Sequence, residues 1–144
     1  MKNKTIKIYD STLRDGAQTK GVSFSIDDKL RILDILMDIG VDYIEAGWPG
    51  ANPIDDELFK NLPAKFKSKV VAFGMMRKKN KSASNDPGLN AVLNSGVSTT
   101  CLVGKSWDFH VKSALRISNS ENLEMINDSI DYASTKLDEV MFDA

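Results

Sequence analysis

The chain has 144 residues, 42% apolar and 27% charged, with 19 basic against 20 acidic side chains and a formal net charge of −1. This composition excludes disorder and collagen-like repeats, and a near-zero charge supplies no global field to gather nucleic acid or an anionic membrane. One cysteine, Cys101, and one histidine, His110, exclude an internal disulfide and a Cys/His zinc site; with no apolar signal segment in MKNKTIKIYDSTLRDG, the expectation is a cytoplasmic protein.

Short β-branched runs alternate with runs at helical spacing. The first strand is expected over Thr5–Tyr9 (TIKIY). Ser25 then caps a helix whose apolar residues Ile26, Leu30, Leu33 and Met37 share one face, and Gly40 ends it. A second strand follows at Asp42–Glu45. Asn52-Pro53 ahead of Asp55, Asp56 and Glu57 opens the next helix, with a proline at the first helical position and acids at the positive end of the dipole. Val70–Phe73 is the third strand, and Asp86-Pro87 repeats the start signal before a short helix closed by Gly96. Ser98–Val103 is the fourth strand. A short helix is expected around Asp108–Ile117, and Ser120 is expected to open a longer one with Leu123, Ile126, Ile130, Ala133 and Leu137 on one side. Glu139–Phe142 is the fifth strand.

Strand–helix alternation with short connections means parallel strands joined by right-handed crossovers. Two α/β architectures satisfy it: a five-stranded flavodoxin-like doubly wound sheet, or the N-terminal part of a (β/α)8 TIM barrel. In the first, strand one lies inside the sheet; in the second, the strands run in order 1-2-3-4-5. A barrel typically needs about 250 residues, and four βα units plus a strand is just over half of eight. The expectation is therefore an incomplete barrel over residues 1–144, cut after strand five, with Ile6, Ile8 and Ile44 turned to water and exposed edges on strands one and five.

In parallel α/β folds ligands bind at the carboxyl ends of strands. Strand one leads into Asp10, Ser11, Thr12, Arg14, Asp15 and Gln18; strand two ends in Glu45 and leads into Gly47, Trp48, Pro49 and Gly50. Arg77–Lys79 follow strand three, Lys105, Trp107, Asp108 and His110 follow strand four, and Asp143 closes strand five. A carboxylate can hold a divalent cation, a guanidinium can grip a carboxylate or a developing oxyanion, and a second carboxylate can orient that guanidinium or move protons. Plainer readings stand beside these. An isolated Arg-Asp-Gly is more often a turn with a solvated ion pair, the basic run Arg77–Lys81 more often a solvated loop than a phosphate grip, and Cys101 a small buried hydrophobe. Trp48 and Trp107 either flank a ligand or pack beneath loops, and His110 reads as a surface or capping residue. Glu45 resists such a reading, because a carboxylate inside an apolar strand is rarely buried without a partner.

DSTLRDGAQ (Asp10–Gln18) resembles the opening signature of the DRE-TIM metallolyases, the family of isopropylmalate, homocitrate and citramalate synthases and of hydroxymethylglutaryl-CoA lyase. DSTLRDGAQTKGVSFSIDDKLRI, YIEAGWPGANPID, AFGMMRK and GKSWDFHV resemble, in order, segments of the longer bacterial and archaeal citramalate synthases, so the resemblance covers essentially the whole chain. It implies that Arg14 binds the 2-oxo acid and stabilises developing negative charge. Asp15 becomes a metal ligand, Glu45 the catalytic strand-two glutamate near both, and Gln18 part of the keto-acid pocket. The implied reaction condenses acetyl-CoA with pyruvate, aided by Mg²⁺ or Mn²⁺, in isoleucine and leucine biosynthesis, in a full-length protein that is a homodimer. The family's His-x-His metal ligands have no counterpart here, so the chain alone is expected to be inactive. Isopropylmalate or homocitrate synthase, and a non-catalytic flavodoxin-like binding module, are the competing readings.

Overall fold

A computed structural model describes residues 5–144. Ser25 opens α1 (Ile26–Ile39) with a capping box: its side chain accepts from the Asp28 N–H while the Asp28 carboxylate accepts from the Ser25 N–H, and Gly40 ends the helix in the left-handed conformation at φ 89°. Asn52 and Asp86 cap α2 (Pro53–Lys60) and α3 (Pro87–Leu93), each with proline at the first turn. These three starts match the sequence expectation.

The strands are β1 (Tyr9–Asp10), β2 (Tyr43–Gly47), β3 (Val70–Met75), β4 (Thr99–Val103) and β5 (Glu139–Asp143), all parallel and in the order β1-β2-β3-β4-β5. That order rejects the doubly wound alternative, which needs strand one inside the sheet. The sheet is the first part of a (β/α)8 barrel. Ile44, Ala46, Val70, Ala72 and Leu102 pack outward against the helices, joined by Leu33, Leu58, Phe66, Leu89 and Val92 to form the core. The other face carries Tyr9, Tyr43, Glu45, Phe73, Cys101 and Glu139, and it is concave. The Tyr43 hydroxyl reaches both Glu139 carboxylate oxygens at 2.9 Å across two intervening strands, which requires the sheet to curl toward that face.

Several details differ from expectation. β1 is short: the Asp42 carboxylate takes the Ile8 N–H, while the Ile8 carbonyl accepts from both Asp42 and Tyr43, so the parallel ladder begins only at Tyr9. Ile6 (87% exposed) and Ile8 do face water, but Ile44 is fully buried because it points outward beneath the helices. The fourth connection is a helical turn, α4 (Asp108–His110), that widens into a π-turn over Val111–Leu115 and stops at Arg116 with φ 55°. The long helix, α5 (Asn119–Ser134), is capped by Ser118 rather than Ser120, two residues earlier. Its buried face is therefore Asn122, Met125, Ser129 and Ala133, with Ile126 and Ile130 half-buried and Leu123 in solvent. Among the described residues no helix is long and apolar enough to cross a membrane.

Helix and sheet are in close contact at Gly74, where an added Cβ would lie 2.5 Å from the Val92 Cγ2. A β-branched side chain cannot swing away, so Gly74→Ala is expected to cost about 1–3 kcal/mol by urea unfolding. In a double-mutant cycle the penalty shrinks when Val92 is Ala; equal penalties in both backgrounds would contradict this packing.

Candidate active site

The β1 connection folds back over the strand ends because its backbone is locally tied. Asp10 accepts from the Thr12 N–H and hydroxyl, both at 3.0 Å, and the Ser11 carbonyl accepts from the N–H groups of Arg14, Asp15 and Gly16. Leu13 is buried completely and pins the turn, leaving Arg14 over the concave face. The Arg14 Nε donates to Glu45 Oε1 at 2.5 Å, and its guanidinium lies 3.9 Å from the Phe73 ring centroid. Trp48 meets Phe73 edge-on at 5.3 Å. The second Glu45 oxygen, Oε2, accepts from the Tyr9 hydroxyl at 2.5 Å.

Glu45 is 1% exposed, so both of its oxygens need such partners. Burial and the neighbouring Glu45 carboxylate push the Tyr9 phenol well above the ordinary tyrosine range, which keeps it a hydrogen-bond donor. Burial, followed by the negative charge of Glu45, also raises the Cys101 thiol, although the Tyr9 hydroxyl beside it acts in the opposite direction. Cys101 is thus the buried hydrophobe of the plainer reading.

With Nε engaged by Glu45, the Arg14 guanidinium retains its Nη groups. Nη1 contacts Asp15 Oδ1 at 3.3 Å, and Nη2 has no protein partner among the described residues. That geometry suits a carboxylate or an oxyanion ligand. Arg14, Asp15 and Glu45 are therefore brought together as expected. Gln18 stands at the exposed end of a 3₁₀ turn, Gly16–Gln18, and lines with Leu13, Arg14, Phe24, Trp48 and Asn52 a cavity of about 290 Å³. The Asp15 side chain is 64% exposed, and among the described residues no three His, Cys, Asp or Glu groups converge on a metal position. One carboxylate offers at most two of the roughly six oxygens Mg²⁺ takes. These residues by themselves do not fit a divalent-cation site.

A second buried ion pair builds the wall beside Arg14. Lys29, on α1 and 3% exposed, donates to the Ala46 carbonyl at 2.9 Å and to Asp55 Oδ1 at 2.5 Å. Asp55 Oδ2 accepts from the Trp48 N–H at 2.9 Å and the Asn52 side-chain amide at 2.8 Å, which fixes the β2–α2 loop. An added Cβ at Gly47 would lie 2.5 Å from the Asp55 carboxyl carbon, so glycine is what lets the chain pass. Lys29 was not singled out from sequence, and Asp55 was read only as a helix-start acid. The available signal was a lysine between Ile26 and Leu33, three and four residues away on the apolar face of α1.

The other candidates lie apart from this site. Arg77 is held by Asp128, through Nε at 2.8 Å and Nη2 at 2.6 Å. Lys78 and Lys79 rim a largely apolar cavity of about 530 Å³ walled by Trp48, Met75, Met76, Leu115 and Met125. Trp107 is exposed, and His110 stacks edge-on against it at 4.6 Å between ring centroids.

The model of the HMGL-like family matches residues 5–144. This chain belongs to the HMGL-like family. The resemblance to the DRE-TIM enzymes is thereby borne out. An (R)-citramalate synthase of Sulfolobus acidocaldarius is 45% identical over 147 aligned positions, covering 100% of this chain and 28% of the relative. Another, from Aquifex aeolicus, is 47% identical and covers 96% of this chain and 27% of its own length. The chain thus spans little more than a quarter of these relatives. The hydroxymethylglutaryl-CoA lyase of Pseudomonas aeruginosa shares the fold with a TM-score of 0.67 at 20% identity, over 95% of this chain and 45% of that one.

Lys29→Met strands Asp55 as an uncompensated buried charge and is expected to lower the unfolding free energy by about 3–5 kcal/mol. Urea denaturation measures it, and wild-type stability would contradict the ion pair. The Cys101 thiol is expected to react with a thiol reagent at pH 8 only as fast as the chain unfolds; a burst of labelling in the folded state would contradict its burial.

Proposed function

We propose that this chain forms the arginine-bearing part of the catalytic barrel of a citramalate synthase-like acyltransferase, which joins acetyl-CoA to a 2-oxo acid, pyruvate. The observation that carries this reading is the side-on pairing of Arg14 with Glu45, which leaves the Nη groups for a ligand at the carboxyl ends of β1 and β2. The (R)-citramalate synthase relatives support the choice of substrates.

Arg14 is the catalytic residue in this account. Its Nη groups hold the pyruvate carboxylate or the oxyanion that grows on the ketone. In the reaction a methyl proton leaves acetyl-CoA, the carbanion forms a C–C bond to the ketone carbon, and that oxygen takes a proton. Water then cleaves the thioester, giving citramalate and free CoA. Glu45, with both oxygens already accepting, holds Arg14 in place. Phe73 and Trp48 keep bulk water from the guanidinium, which strengthens its field on developing charge. Gln18 borders the ligand on its open side. Asp15 would offer one carboxylate to the divalent cation that the family resemblance implies. The apolar cavity rimmed by Lys78 and Lys79 shares Trp48 with the Arg14 cavity and suits the pantetheine arm and phosphates of the thioester. The sequence resemblance carries with it a cytoplasmic, homodimeric full-length enzyme of isoleucine and leucine biosynthesis.

A chimera tests the reading. Residues 1–144 are joined to the remainder of the Aquifex aeolicus relative and assayed for CoA release with pyruvate and acetyl-CoA. The chimera is expected to turn over, the 144-residue chain alone to be silent, and Arg14→Ala in the chimera to lose about 10²–10³-fold in kcat. Turnover with 2-oxoisovalerate or 2-oxoglutarate instead of pyruvate would move the substrate assignment to another 2-oxo acid. A chimera that folds and is inactive with all three would overturn it.

A further inference from the structure

Tyr9 was read from sequence as nothing more than a strand residue, yet it makes the second of two short bonds on the most buried carboxylate of the concave face. A carboxylate facing a guanidinium has two ways to pair. Used bidentately, both of its oxygens take parallel N–H donors, the arrangement that carboxylate–guanidinium geometry favours. Used through one oxygen, it leaves the other guanidinium donors open. Here Nε alone holds Oε1, and Oε2 accepts from the Tyr9 hydroxyl with no Arg14 donor on it. The phenol is itself fixed, tilted against the Tyr43 ring at 6.1 Å between centroids and bordered by Cys101.

We propose that Tyr9 is a positioning residue that blocks the bidentate Glu45–Arg14 pair and so keeps the Arg14 Nη donors available to an anionic ligand. Without the Tyr9 hydroxyl, the buried Oε2 would lose the side-chain donor it has, with the Arg14 guanidinium as the nearest charged replacement. The cost of leaving it unmade drives the carboxylate to turn and take an Nη hydrogen. The arginine would then be consumed by its own holder. Tyr9→Phe keeps the ring and its packing and removes only the oxygen, so it isolates this role. The importance of the Nη donors to catalysis rests on the function proposed above, whereas the geometry of the pair does not.

The test is nitrogen-15 NMR of the arginine side chains in the 144-residue chain. In the wild type, Arg14 should show a protected Nε–H and rapidly rotating Nη groups. In Tyr9→Phe, Nη rotation at Arg14 should slow enough to resolve separate Nη signals, while Arg77, tied to Asp128 on another part of the molecule, is unchanged. Unaltered Arg14 Nη signals in a folded Tyr9→Phe chain would overturn the proposal. If the Arg77 reference is lost because the variant unfolds, 3-fluorotyrosine is incorporated into the wild-type chain instead. A more acidic phenol should then shift the Arg14 Nε–H through Glu45, and an unmoved signal would overturn it. In the chimera, Tyr9→Phe should lower kcat/KM for pyruvate about tenfold, equivalent to about 1.4 kcal/mol of Arg14 interaction. An unchanged kcat/KM would contradict the positioning role. A chimera with no activity at all would defeat the functional reading and leave the NMR comparison standing as the test of Tyr9.

Discussion

A carboxylate placed inside a parallel sheet has to be answered, and the way Glu45 is answered organises this chain. Its charge is nearly sealed from water, so the two elements that reach it are held to it: the β1 connection through Arg14 and β1 itself through Tyr9. Neither bond is worth much against water, but breaking one leaves a buried group unmatched, and that asymmetry fixes geometry. The turn after β1 is tied by its own backbone and by Leu13, and the bond to this glutamate sets the face that Arg14 presents over Phe73.

The Lys29–Asp55 pair does on the helical side what Arg14–Glu45 does on the concave side. It ties α1 to the carbonyl end of β2 and to the first turn of α2, and through the Trp48 N–H it sets the loop that walls the arginine. The two pairs meet at Trp48 and Phe73. Rigid elements on both sides therefore fix the site, which suits a reaction that needs a cation held within a fraction of an ångström of where charge develops.

Much of the fold was legible because its signals are local. Ser25, Asn52 and Asp86 announce helix starts through their own side chains, and Gly40 announces an end through a φ that only glycine adopts readily. Alternation left two strand orders open, the unit count and the motif resemblance favoured the barrel order, and the observed pairing bears it out. What failed was set by tertiary context. β1 is shortened by an aspartate that competes for its backbone, and α5 begins at the serine whose position puts Met125 and Ala133 inward. At the site, Glu45 was conspicuous as a carboxylate inside an apolar strand, whereas Arg14 stood out through the DSTLRDGAQ resemblance, its Arg-Asp-Gly alone reading as a turn. Tyr9 and Lys29 did not stand out, since an aromatic in a strand and a lysine in a helix are ordinary until their partners are seen.

The central claim is that Glu45 divides its two oxygens between Arg14 and Tyr9. A crystal structure of the chain at a resolution that places the carboxylate oxygens tests it most directly. The expected result is Arg14 Nε on one oxygen and the Tyr9 hydroxyl on the other, each within about 3.2 Å, with Nη2 off the glutamate. A Glu45 carboxylate bound side by side to Nε and Nη2, or turned away from Arg14 altogether, would contradict the account.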